Sequence, residues 1–192
     1  AKITKKKGYK TFDNYWNLKT AKLLKKKFDQ IDLVYSANTI THISNLNEVF
    51  ESISLILSKK GVIIIEDPSL LECIKKVSYD QFYNEHIYVF STIAVRNLLQ
   101  KFSLEIFDIK SLSTHGGSLR YYIKRKDNNK FKITNSVKKQ INLEIKSGLL
   151  DFKTYRKFGN SVKKSKNLLK KIFFTNKKNN KTIIGYGATA KA

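Results

Sequence analysis

The chain has no methionine, one cysteine and one proline among its 192 residues, and these shortages exclude several kinds of protein. The single Cys73 cannot form an internal disulfide and is too few for a cysteine-based zinc site, so we expect neither framework here. No apolar stretch approaches the roughly 20 residues that a bilayer-spanning helix needs. The lysine-rich residues 1–10 lack the apolar segment of a secretion signal. We therefore expect a soluble cytoplasmic protein with no membrane partner.

Acidic residues are also scarce, since 15 Asp and Glu stand against 38 Lys and Arg, which gives a formal net charge of +23. Such a charge suits nucleic acid, because lysine neutralises phosphates and releases counterions. Arginine, which makes bidentate contacts to phosphates and bases, occurs only as Arg96, Arg120, Arg125 and Arg156. A solvated, lysine-coated surface is therefore favoured, and a basic nucleic-acid-binding module is the alternative from another functional class.

The hydrophobic pattern predicts helices alternating with strands over the first two thirds of the chain. Val62 to Glu66 is nearly all β-branched, which is typical of the buried middle of a parallel sheet. The predicted helices are 14–28, 46–57 and 91–102, and the predicted strands are 31–36, 62–66, 104–111 and 119–124. Asn45 or Ser44 and Ser91 are expected to cap the second and third helices. This order predicts an α/β fold whose mostly parallel sheet ends in an antiparallel hairpin.

Beyond Lys126 the composition changes to Lys, Asn and Gln with widely spaced apolar residues. This pattern predicts helices over 134–158 and 161–174 with a break near Gly159, and then a new strand over 182–187. We therefore expect three parts: a sheet domain over 1–126, a helical connection over 127–180, and the start of a truncated second α/β domain over 181–192.

The three histidines of the chain, His42, His86 and His115, each follow a predicted strand. Ligands of open α/β sheets bind outside the carboxyl ends of the strands, so this placement gathers the imidazoles where chemistry is usual. Tyr83-Asn84-Glu85-His86 adds a phenol and a carboxylate within the long aromatic connection 69–90. A structural role is the alternative for each histidine: a ring bonded to a backbone carbonyl for His86, a helix cap for His42.

Four segments in order carry a more specific signal than any one of them alone. They are Asn38-Thr39-Ile40-Thr41-His42-Ile43, Tyr83-Asn84-Glu85-His86 with Phe90-Ser91, Thr114-His115-Gly116-Gly117-Ser118-Leu119-Arg120, and Gly185-Tyr186-Gly187-Ala188-Thr189-Ala190-Lys191. Together they resemble the nucleotide-sugar C-methyltransferases, class I enzymes that depend on S-adenosylmethionine and methylate a ring carbon next to a keto group of a deoxysugar. The resemblance covers nearly all of the chain.

The resemblance implies that the chain is the second half of a Rossmann-like methyltransferase domain, followed by linking helices. Members of that family carry a cysteine-rich zinc region at the N-terminus and then a glycine loop for the cofactor, whereas no glycine cluster precedes Gly61 here. Zinc is therefore expected only in a missing N-terminal region. The fragment is expected to bind the cofactor poorly and to be inactive alone.

The resemblance also implies roles for individual residues in methylating an activated carbon. Such a reaction needs a base that removes a proton next to the ketone while the enolate oxygen is stabilised. The family pattern places the base on His86, with Tyr83 and Glu85 orienting the ring or contacting the keto oxygen and His42 reaching the same cleft. Asn38 is the candidate contact for the cofactor.

Glycine-containing segments are the remaining candidates, for contacts to a nucleotide-linked keto-sugar. His115, Gly116 and Gly117 would let the substrate approach the backbone, although a hairpin turn that needs positive φ explains the glycines as well. Gly185, Gly187 and Lys191 would help to hold the nucleotide diphosphate. A class I methyltransferase for another small molecule is the alternative within enzymes, which a screen of keto-sugar nucleotides would separate.

We expect the lysine surface not to form a nucleic-acid-binding module. A filter-binding titration with duplex DNA at physiological salt should therefore show only millimolar-range affinity. Submicromolar, sequence-indifferent binding that weakens steeply with added salt would contradict this expectation.

Overall fold

The computed structural model describes residues 1–186, in which helices and strands alternate along most of the chain. None of the helices in this part is long and apolar enough to cross a membrane. The helices are α1 Lys2–Lys6, α2 Leu18–Phe28, α3 Leu46–Ile56, α4 Leu70–Lys76, α5 Thr92–Gln100, α6 Asn135–Lys146 and α7 Phe152–Lys178; the strands are β1 Ile31–Ala37, β2 Leu57–Pro68, β3 Leu104–Leu112 and β4 Ser118–Arg125.

The four strands form one mixed sheet in the order β1-β2-β4-β3. β1 and β2 are parallel, and β4 is antiparallel to both β2 and β3. Three strands thus point the same way, and their carboxyl ends share one edge of the sheet, as ligand sites of α/β proteins require. This confirms the predicted α/β fold, with the antiparallel strand lying between β2 and β3.

The hydrophobic core lies on one face of this sheet. Alternate residues of β2, Ile63 and Ile65, are buried there against α3 and α5, because successive strand side chains point to opposite faces. On the other face, Leu33 and Tyr35 of β1 remain 57% and 59% exposed. The helical layer therefore covers one side of the sheet.

Two of the predicted helix caps are confirmed. Asn45 Oδ1 accepts the N–H of Glu48 at 3.2 Å, and Ser91 Oγ accepts the N–H of Ala94 at 3.2 Å. Each satisfies one of the donors that a helix N-terminus leaves unpaired.

Some predicted boundaries were wrong because a local feature outweighed the hydrophobic period. The helix predicted over 14–28 begins at Leu18, since Asn17 caps it. β2 follows α3 directly from Leu57, so the strand is longer than the predicted 62–66, whereas α3 ends one residue before the predicted Leu57. A Cβ at Gly61 would lie 2.7 Å from the Leu57 side chain, which explains the glycine at that position.

The irregular-looking segments also differ from expectation. The connection 69–90 contains α4. The break predicted near Gly159 lies instead between α6 and α7, where Gly148 has φ +75° and Asp151 caps α7 through the N–H of Lys153. Gly159 stays helical because one glycine costs only about 1 kcal/mol in a helix interior, too little to break α7.

The end of the described chain lacks the predicted strand. Residues 181–186 form no regular structure, so the strand expected from Thr182 is absent over the part that is described. Residues 187–192 lie outside it. The division into 1–126, 127–180 and 181–192 stays a prediction, although Val137 of α6 belongs to the core of the sheet domain.

One buried carboxylate attaches α6 to the sheet domain. Glu144 is 0% exposed, and its two oxygens accept the N–H groups of Thr92 at 2.8 Å and Ile93 at 3.1 Å. These amides are the unpaired donors at the N-terminus of α5, where the helix dipole favours a negative charge. Gln140 adds a hydrogen bond to the same carboxylate.

Replacing Glu144 with alanine should destabilise the protein by about 2–3 kcal/mol, because two buried N–H groups lose a charged acceptor. Glu144→Gln, which keeps one acceptor oxygen, should cost less. Urea unfolding of these variants against Glu51→Ala, an exposed glutamate of α3 whose loss should stay within about 0.5 kcal/mol, gives the measurement. Equal stability of Glu144→Ala and Glu51→Ala would show that the cap contributes nothing.

Candidate active site

The candidate site begins where β1 and β2 end side by side. After Ala37 the chain turns at Asn38, whose φ of +49° lies in the left-handed region that asparagine tolerates. The N–H of Asn38 donates to the carbonyl of Glu66 at 2.8 Å, which ties the two strand ends together. The Asn38 side chain is exposed at this edge.

Thr41 joins this edge to the segment that carries the Tyr-Asn-Glu-His motif. Its carbonyl accepts the N–H groups of Ile87 at 3.0 Å and Tyr88 at 3.3 Å, and its hydroxyl donates to the carbonyl of Tyr88. The Tyr88 hydroxyl donates to the carbonyl of Ser44 at 2.7 Å. Two stretches of chain that are more than 40 residues apart are therefore held at fixed spacing.

His86 has both ring nitrogens engaged within its own segment. Nδ1 lies 2.8 Å from the carbonyl oxygen of Gln81, and Nε2 lies 2.9 Å from the hydroxyl of Tyr83. A carbonyl can only accept, so Nδ1 carries the proton in the neutral ring and Nε2 accepts from the Tyr83 hydroxyl. The phenol and the imidazole are thus one hydrogen-bonded pair.

His42 lies against this pair. Its ring centroid is 4.9 Å from that of His86, and its Nδ1 is 2.7 Å from the carbonyl oxygen of Glu85. The same reasoning gives His42 a protonated Nδ1 and an Nε2 with an available lone pair. His42, Asn84, Glu85 and Ile87 line a shallow, open depression on the surface. The structure therefore brings two of the three histidines, Tyr83 and Glu85 together beside open solvent.

The third histidine lies elsewhere. His115, Gly116 and Gly117 form the turn between β3 and β4 with φ values of +52°, +80° and +130°. A Cβ at Gly117 would lie 2.8 Å from Cγ of Glu72, so close packing on α4 and positive φ account for this glycine. Within residues 1–186, no hydrogen bond or ring contact joins His115 to His42 or His86. A substrate contact at this turn stays a prediction.

The remaining predicted residues lie near or beyond the end of the described chain. Gly185 is exposed in the irregular segment 181–186, and no neighbour crowds it. Gly187 and Lys191 lie outside the described residues. Across residues 1–186, no three His, Cys, Asp or Glu side chains are grouped so that they could hold a metal ion.

A polar cluster on the open face of the sheet was not predicted from the sequence. Glu66 and Arg120 are directly paired across β2 and β4, and Arg120 Nε lies 2.5 Å from Glu66 Oε1. The Tyr35 hydroxyl donates to the same oxygen at 3.1 Å, and this hydrogen bond raises the pKa of Tyr35. The alternation of side chains along β2 could have indicated it, because it places Glu66 on the open face and its buried neighbour Asp67 on the core face.

Two family comparisons cover nearly the whole chain. The family described as "Methyltransferase domain" matches residues 4–109, and the family described as "C-methyltransferase C-terminal domain" matches residues 113–192. The C-methyltransferase NovU of Streptomyces niveus is 25% identical over 159 residues, which are 83% of this chain and 38% of that protein. The chain therefore spans well under half of this relative's length.

Solved structures show a more distant likeness. An S-adenosylmethionine-dependent methyltransferase from Clostridium acetobutylicum is 15% identical, with a TM-score of 0.43 over 65% of this chain and 68% of that chain. The PH0226 protein from Pyrococcus horikoshii is 13% identical, with a TM-score of 0.42 over 65% and 64% of the two chains. These values are too low to assign a function.

The hydrogen bonds of the site predict unusual tautomers for two of the three rings. His42 and His86 should both carry the neutral-ring proton on Nδ1, because each Nδ1 faces a carbonyl oxygen. Nitrogen-15 NMR of the imidazoles at alkaline pH measures this directly, with the exposed His115 as internal reference. Protonated Nε2 on His86 would contradict the site as described.

Proposed function

We propose that this chain, which belongs to the methyltransferase-domain family, is part of an S-adenosylmethionine-dependent C-methyltransferase that methylates the carbon next to the keto group of a nucleotide-linked deoxysugar. The observation that carries the proposal is the Tyr83–His86 hydrogen bond with His42 packed beside it. The match of residues 113–192 to a C-methyltransferase domain supports transfer to carbon.

Transfer to carbon makes a proton acceptor necessary. A C–H next to a ketone becomes nucleophilic when a base removes its proton, and bound S-adenosylmethionine supplies the electrophilic methyl group. Imidazole suits this work because its ordinary pKa lies near the working pH. His86 is the base in this proposal, and its Nε2 ends protonated.

The hydrogen bond from Tyr83 decides how the proton reaches His86. Because Nε2 already accepts the phenolic hydrogen at 2.9 Å, the Tyr83 oxygen takes the substrate proton while its own proton passes to Nε2. Tyr83 and His86 then act as one acid–base unit, with the Nδ1–H of His86 stabilised by the Gln81 carbonyl. Glu85, exposed in the same depression, is placed to hydrogen-bond sugar hydroxyls.

The carboxyl edge of β1 fits the proposed cofactor. The exposed Asn38 amide both donates and accepts hydrogen bonds, as contact with the polar groups of a nucleoside requires. Asn38 would hold S-adenosylmethionine at this edge, next to the turn that carries His42.

The charge of the chain supports an anionic substrate. A net charge of +23 creates a positive field that raises the local concentration of negatively charged small molecules. A nucleotide-linked sugar carries its charge on the diphosphate, remote from the reacting carbon. The field therefore favours association of the substrate without taking part in the chemistry.

The test compares variants in the complete enzyme with a keto-sugar nucleotide. His86→Asn and Tyr83→Phe should each lower methyl transfer by about 10²- to 10⁴-fold, the usual contribution of a positioned acid or base, with cofactor binding unchanged. Tyr15→Phe is the matched control, since Tyr15 is 92% exposed and lies outside the site.

The two variants separate the parts of the proposal. Full activity of His86→Asn would exclude His86 as the base. Full activity of Tyr83→Phe together with an inactive His86→Asn would exclude the relay through Tyr83 while keeping the base on His86.

A further inference from the structure

Asp67 is a buried carboxylate at the carboxyl end of β2, and the chemistry proposed above does not use it. It is the penultimate residue of the strand, its Cα pairs with that of Leu119 of β4, and it is 1% exposed. Alternation along β2 places it on the core face with Ile63 and Ile65. A charge at this position requires compensation, because desolvation disfavours the ionised form.

Few groups around Asp67 can stabilise a negative charge on its carboxyl group. Within residues 1–186, neither of its oxygens accepts a hydrogen bond of normal geometry, and it forms no ion pair. The backbone N–H of Thr41 is the polar group near enough to stabilise the carboxylate. The charged group that acts on Asp67 is Glu66 of β2, which is itself ion-paired to Arg120 of β4. The buried Tyr121 of β4 interacts with Asp67 and with Glu144 of α6.

The protonation of Asp67 therefore changes near neutral pH. Burial raises the pKa of Asp67 to about 7, and the nearby negative charge of Glu66 raises it further while the Thr41 N–H lowers it. A group whose folded-state pKa exceeds its unfolded value holds its proton more tightly when folded. Its contribution to stability is complete at low pH and declines as the pH rises from about 4 to about 7.

Thr41 connects Asp67 to the candidate site. Thr41 lies next to His42 in the chain. Its carbonyl accepts the N–H groups of Ile87 and Tyr88, and its hydroxyl donates to the Tyr88 carbonyl. Any movement of the Thr41 turn therefore moves His42 and the stretch that follows His86.

We propose that Asp67 is a positioning residue of the candidate site: its protonated form keeps the Thr41 turn packed, and its ionisation loosens that turn together with His42 and residues 85–88. The ionised carboxylate gains solvation when the turn opens, so opening becomes more favourable as the proton leaves. The consequence for catalysis rests on the proposed function, whereas the coupling to the turn does not.

Hydrogen exchange of the Ile87 and Tyr88 amides tests this coupling on the chain itself. Their protection factors should fall by up to about tenfold per pH unit between about pH 4 and pH 7, the limit for one coupled proton, and should level off above that range. In Asp67→Asn the fall should disappear. Histidine titration is present in both proteins, so their difference isolates Asp67.

Asp32→Asn is the matched control, because Asp32 is an exposed carboxylate of β1 that accepts a hydrogen bond from Ser58. It should keep the pH dependence of the wild type. The same pH dependence in Asp67→Asn as in wild type would overturn the proposal, and so would its loss in Asp32→Asn. A carbon-13 titration of the wild-type Asp67 carboxyl is independent of any variant, and a midpoint below about pH 5 would also overturn it.

Discussion

The hydrogen bonds of Thr41 are the constraint on which the candidate site depends. They join the turn after β1 to the segment after α4, together with the contacts of His42 with the Glu85 carbonyl and of Tyr88 with the Ser44 carbonyl, and so bring His42 and His86 side by side. Backbone groups make most of these contacts, so the spacing of the two rings is set by the chain itself. Side chains at such a site are held more firmly than in a free loop, as acid–base work requires.

The sheet supplies the frame for this constraint. β1 and β2 are parallel, so their carboxyl ends meet at one edge, and the bond from Asn38 to the Glu66 carbonyl keeps those ends aligned. α5, which follows the motif segment, is fixed at its N-terminus by Glu144 of α6. The motif segment is thereby restrained on its C-terminal side, by the Thr41 bonds to Ile87 and Tyr88 and by the buried cap at the start of α5. Packing far from the histidines therefore contributes to their geometry.

The helices, the strands and part of the candidate site could be predicted from the sequence, for reasons that differ by residue. Strand β2 could be predicted from its β-branched run, and the helix caps Asn45 and Ser91 from their residue types. Both signals depend only on residues that are close together in the sequence. The nearness of His42 and His86 followed from two parallel strands ending at one edge. A ring bonded to a backbone carbonyl was the structural alternative predicted for His86, and its Nδ1 does lie 2.8 Å from the Gln81 carbonyl oxygen. Which carbonyl it would be, and the role of the Thr41 carbonyl, could not be predicted, because a backbone hydrogen bond in an irregular segment leaves no residue-type signal. The burial of Asp67 follows from its register with Ile63 and Ile65, because alternation along β2 places all three on the core face.

The central claim is that this site removes a proton from carbon before a methyl group arrives. Deuterium exchange at the carbon next to the keto group tests it most directly, by NMR of a keto-sugar nucleotide with the complete enzyme and S-adenosylhomocysteine in place of the methyl donor. The account predicts enzyme-dependent replacement of that hydrogen by solvent deuterium although no methyl group can be transferred. Exchange no faster than without enzyme, in a preparation that methylates the same compound when the methyl donor is supplied, would contradict it.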